Sequence, residues 1–72
     1  MNNVIIHCKP SLLDSIKEMG LYYTHSPNGE VDVIVPDIDT PDHIDGVYID
    51  PDQYLCEFYC LDYDQVNCVE LA

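Results

Sequence analysis

Carboxylates dominate the side chains of this sequence that are capable of chemistry. Four pairs are spaced i, i+2: Glu30/Asp32, Asp37/Asp39, Asp50/Asp52 and Asp62/Asp64. In an extended segment, residues two apart project from the same side at about 6.5–6.8 Å. An edge or face built from such pairs displays carboxylates at phosphate-like intervals. The stretch Asp37–Asp64 gathers nine acids, adding Asp42, Asp45 and Glu57 to three of those pairs, and contains no lysine or arginine. Tyr48, Tyr54, Tyr59 and Tyr63 are interleaved with them. Tyrosine brings a large contact area at small entropic cost and is enriched at binding hot spots. The candidate partner-binding set is therefore Glu30, Asp32, Asp37, Asp39, Asp42, Asp45, Tyr48, Asp50, Asp52, Glu57, Tyr59, Asp62, Tyr63 and Asp64.

More specific chemistries fit less well. A calcium loop of the EF-hand type starting at Asp37 needs an acid or amide at position 41, glycine at 42 and glutamate at 48. The sequence has Pro41, Asp42 and Tyr48 there, and starts at Asp50 or Asp62 fare no better. Zinc is served by closely spaced cysteine pairs, but Cys56 and Cys60 are four apart and no C-x-x-C pair exists. His7 adjoins Cys8, yet neighbouring side chains on a strand face opposite ways, so they do not form a nucleophile and its base. His25 and His43 fall in expected loops. Acid–base catalysis by paired carboxylates needs one of them buried with a raised pKa, and nothing marks which. The sequence points away from an enzyme, and no cofactor or dedicated metal site is expected.

Composition sets the frame for that field. The 72 residues carry fourteen acids against Lys9 and Lys17, with no arginine, for a formal net charge of −12. No lysine or arginine follows Lys17. Such a chain repels itself when compact, and repels nucleic acid and anionic membranes; its natural partners are basic surfaces or cations. Ordinary surfaces mix charge signs, so the imbalance exceeds what solubility requires. The length suits one domain spanning residues 1–72, and an apolar fraction of 47% is ordinary for a folded one. Neither a signal peptide nor a membrane-spanning run is apparent, so cytoplasmic residence is the expectation. Cys8, Cys56, Cys60 and Cys68 then read first as reduced thiols, with disulfides and a metal site as lesser alternatives.

The elements that must position the acids can be read in order. Asn3–Cys8 (NVIIHC) is an apolar, β-branched run and reads as a buried strand. Pro10 and Ser11 open a helix, with Ser11 and Asp14 fitting a capping pattern. Leu12, Leu13, Ile16 and Met19 share its inner face, and Gly20 ends it. Leu21–Ser26 and Glu30–Pro36 flank Pro27-Asn28-Gly29 as a hairpin in which Val31, Val33 and Val35 face the core. Asp37–Asp45 reads as a loop with room for one helical turn after Thr40, and Val47–Ile49 as a short strand. Asp50-Pro51-Asp52-Gln53 and Asp62-Tyr63-Asp64-Gln65 read as turns. Between them Tyr54–Leu61 is expected to be a strand, with Tyr54, Cys56, Phe58 and Cys60 on one face and Leu55, Glu57, Tyr59 and Leu61 on the other. Val66–Leu71 is the last strand. The expected fold is α+β: an antiparallel or mixed sheet with one helix across one face.

Small size, extreme acidity and the lack of a catalytic motif make this chain similar in kind to the acidic inhibitor proteins of bacteriophages and mobile elements. These include anti-CRISPR proteins, anti-restriction proteins and inhibitors of DNA-repair glycosylases, many of them DNA mimics. The resemblance covers the whole chain and rests on composition and architecture. It implies a non-enzymatic inhibitor in the host bacterial cytoplasm, acting as a monomer or small homo-oligomer. Its carboxylates would occupy the basic DNA- or PAM-binding surface of a CRISPR effector complex, with no direct binding to nucleic acid or membrane. Two alternatives stand beside it: an antitoxin-like or regulatory module that neutralises a basic protein without imitating DNA, and a domain whose folding responds to divalent cations.

Overall fold

A computed structural model describes residues 2–72. Its main sheet has four antiparallel strands: β1 (Asn3–Cys8), β2 (Tyr23–His25), β3 (Val31–Pro36) and β6 (Val66–Leu71), in the order β2-β3-β1-β6. Helices α1 (Leu13–Met19) and α2 (Pro51–Phe58) complete an α+β fold, with a separate hairpin of β4 (His43–Ile44) and β5 (Val47–Tyr48).

The sheet is built from alternation. Val4, Ile6 and Cys8 of β1 and Val31, Val33 and Val35 of β3 are buried, as a period of two on a half-covered sheet requires. The register sets Ile6 against Val33 and Val4 against Val35. Leu12 and Ile16 from the α1 region, with Leu55, Cys56 and Leu61 from the α2 region, close the same core. Burying a side chain the size of Ile16 contributes about 1.5–3 kcal/mol. The intervening residues Ile5, His7, Asp32 and Ile34 are half-buried and stand on the opposite, open face.

Both helices end alike. The Gly20 N–H donates to Lys17 O and the Leu21 N–H to Ile16 O, with Gly20 left-handed at φ 75°. The Cys60 N–H donates to Glu57 O and the Leu61 N–H to Cys56 O, with Cys60 left-handed at φ 60°. This is the Schellman arrangement, made once with glycine and once with a residue that carries a Cβ.

Several expectations are corrected. Tyr54–Leu61 is not a strand: Pro51–Phe58 is helical, and Asp50-Pro51-Asp52-Gln53 is its start. Asp50 Oδ1 accepts from the Asp52 N–H at 3.0 Å, and Pro51 occupies the first turn, where its missing N–H costs nothing. The inward residues are therefore Leu55, Cys56 and Leu61, while Phe58 is 60% exposed. Ser11 does not cap α1; a 3-10 turn, Pro10–Leu12, precedes the helix, and the Ser11 hydroxyl donates to Gln65 Oε1 at 2.5 Å. Thr40 starts no helical turn. The segment runs extended into β4, and Asp45 and Gly46, both at positive φ (52° and 80°), make the tight turn to β5.

Candidate functional site

The candidate carboxylates occupy three settings. The first is a cleft of about 410 Å³ at the end of the sheet, where β1 begins and β3 and β6 finish. Val4, Leu55, Val69 and Leu71 supply apolar lining, and the exposed Asp37, Asp39 and Asp52 supply charge. Asp37 is held there by backbone, its N–H donating to Asn2 O at 2.8 Å.

The second setting is the band flanking that cleft. Asp50 and Asp62 each fold back on their own chain, their Oδ1 atoms accepting from the N–H of Asp52 and of Asp64, both at 3.0 Å. The pairs Asp50/Asp52 and Asp62/Asp64 thus belong to capping turns and not to extended edges. The Tyr63 hydroxyl donates to Asp50 Oδ2 at 3.1 Å, which brings the two turns together, and this bond raises the Tyr63 pKa. Glu57 lies farther along α2 and accepts from Gln53 Nε2 at 3.2 Å. Asp42 and Asp45 are both exposed, Asp42 just before the β4–β5 hairpin and Asp45 in its turn.

The aromatic residues divide by use. Tyr48 is 84% exposed and tilts against His43. Tyr59 is half-buried, and its hydroxyl donates to Pro36 O at 2.5 Å; burial and then the field of Asp37 raise its pKa. Tyr59 and Tyr63 therefore commit their hydroxyls to the fold, whereas the Tyr48 and Phe58 rings are exposed, one against His43 and the other edge-on to Tyr59. Phe58, Ile44 and Val47 are exposed apolar residues that sequence reasoning did not single out.

The third setting is the open face of the sheet, which Glu70 joins to the rim of the cleft. Glu30 and Asp32 meet His7 there. His7 Nδ1 lies 2.7 Å from Asp32 Oδ1 and 4.0 Å from Glu30 Oε1, and Nε2 lies 2.7 Å from Glu70 Oε1. A neutral imidazole has only one N–H, so two ionised carboxylates at bonding distance require the imidazolium. Partial burial opposes that charge, but the hydrogen bonds His7 donates to Glu70 and Asp32 outweigh it, and the His7 pKa is raised above 6.5. Glu30 is oriented by two amides, Asn28 Nδ2 at 2.8 Å and Asn67 Nδ2, which hold its carboxyl below the usual range. The pairing of His7 with Glu70 was not legible in the sequence because 63 residues separate them.

All four thiols are unpaired, Cys8 and Cys56 buried and Cys60 and Cys68 exposed. Burial, chiefly, pushes Cys8 up to about 12 and Cys56 up to about 11, so neither is a nucleophile at neutral pH. Among the described residues no helix is long and apolar enough to cross a membrane. Comparison with protein-family models, with curated proteins and with solved structures finds no match to this chain.

Proposed function

We propose that this protein is a non-enzymatic inhibitor that works by DNA mimicry in a bacterial cytoplasm, presenting its carboxylates to the basic DNA- or PAM-binding surface of a CRISPR effector complex. One observation carries the reading: among the described residues, the only cationic group within 4.0 Å of a carboxylate is His7. The acids of the cleft, band and hairpin have no lysine or arginine partner, so their field is directed outward.

Its density supports the same reading. A net charge of −12 along a longest dimension of 39 Å is one charge per about 3 Å. Duplex DNA carries one per about 1.7 Å, so the protein reaches roughly half that linear density. Asp37, Asp39, Asp50, Asp52, Asp62 and Asp64 would face arginines and lysines that otherwise grip phosphates, and the exposed Tyr48 ring would anchor the contact. Association of this kind is fast and weakens steeply with salt.

The test is competition. Purified effector complexes, first immobilised with the protein at low salt, are challenged with duplex DNA of unrelated sequences. Displacement by any duplex, and loss of binding when Asp37, Asp39, Asp50 and Asp52 are changed together to Asn, is the expected result. Binding to a complex that DNA does not disturb would overturn mimicry in favour of a block elsewhere.

A further inference from the structure

We propose that His7, Glu30 and Asp32 form a binding site for a divalent first-row transition ion, with zinc as the type. Their candidate ligand atoms lie within 4.8 Å of one another. The two separations from His7 Nδ1, 2.7 Å to Asp32 and 4.0 Å to Glu30, bracket the roughly 3.3 Å between ligands held tetrahedrally about 2.0 Å from zinc. Each of these two separations comes to that value by a change of less than an ångström.

The surroundings are those of a metal-bound histidine. Such a residue ordinarily donates its far ring N–H to a carboxylate, which fixes the tautomer and makes the near nitrogen a better ligand. Glu70 receives Nε2 in this way at 2.7 Å, leaving Nδ1 to point at the other two ligands. Asn28 and Asn67 hold the Glu30 carboxylate in place without contributing charge. Three carboxylates around one imidazolium leave two negative charges uncompensated. When the ion binds, it takes the place of the Nδ1 proton, which leaves to solvent; the dication then meets three carboxylates and a neutral ring. An imidazole nitrogen favours zinc and its neighbours over calcium or magnesium, which separates this site from loose cation binding by an acidic surface. The site uses the open face of the sheet and stands independently of the DNA-mimic reading.

Isothermal titration with zinc chloride tests it, using the wild-type chain, a Cys60→Ser/Cys68→Ser variant and His7→Gln. The expected result is one saturable zinc site that survives loss of both exposed thiols and weakens by about tenfold or more in His7→Gln. Calcium should bind both the wild type and His7→Gln alike. Zinc binding that is equal in wild type and His7→Gln, or that disappears with the thiols, would overturn the proposal. If His7→Gln does not fold, nitrogen NMR of the wild-type His7 ring decides: a change at Nδ1 on zinc addition supports the site, and an unchanged ring with zinc bound elsewhere overturns it.

Discussion

The Tyr63 hydroxyl sits 3.1 Å from Asp50 Oδ2 while Asp50 Oδ1 caps the first turn of α2. One carboxylate thereby joins the start of the second helix to the 3-10 turn that leads into the last strand. Its two oxygens do separate work, so its substitutions should separate too. Asp50→Ala loses both the cap and the tie and should destabilise by about 1–2 kcal/mol in a urea melt, whereas Asp50→Asn keeps an oxygen for the cap and should cost well under that. Equal losses from the two substitutions would mean the cap contributes nothing.

Helical and extended readings of Tyr54–Leu61 make opposite statements about Phe58. An alternating strand buries Phe58 with Cys56; the helix buries Leu55 and Cys56 and leaves Phe58 60% exposed. Leu55→Ala should therefore cost about 2–5 kcal/mol, a large share of the stability of so short a chain, and Phe58→Ala should stay within about 0.5 kcal/mol. Thermal or chemical denaturation of the two variants checks this, and the reverse ranking would sink the helix.

Charge gives the pH and salt dependence a definite sign. His7 has a raised folded pKa, so its contribution is fully present below its unfolded value of 6.5 and is lost as pH rises through the folded value. Repulsion among the unpaired carboxylates is relieved in the same direction. Glu30 acts oppositely: its lowered pKa gives stability present above 4.5 that is lost as pH falls through the folded value. Melting temperature should accordingly rise from about pH 8 to about pH 5 and then fall in stronger acid. It should also rise with added salt at neutral pH. A melting temperature that ignores salt would show the acids to be individually compensated.

How much of this could be read in advance depends on how local each signal is. β1, α1, the hairpin of β2 and β3, and β6 carry clear periodicity and turn residues within a few positions, and their places were legible. α2 was not, because Tyr, Cys and Phe at alternating positions carry β-propensity, while the helical start, Asp50 before Pro51, is also a turn signature. Asp45-Gly46 was a hairpin signal in plain view, masked by the prolines around it. The His7 cluster was out of reach for a different reason. Asp32 lies 25 positions and Glu70 63 positions from His7, and only the strand order and register bring the three side chains together. Likewise the i, i+2 acid pairs told the amount of charge correctly, but the helical and 3-10 capping turns changed which way two of those pairs point.

Sheet order also governs how late the sheet can be completed during synthesis. Central β1 is made first, yet its partners are β3 and β6, and Ala72 closes onto Asn3. Until β6 has left the exit tunnel, one whole side of β1 has no strand to pair with, and the apolar VII run lies at the border of a half-built sheet. The dense negative charge of the chain would then keep nascent copies apart while that edge stands open.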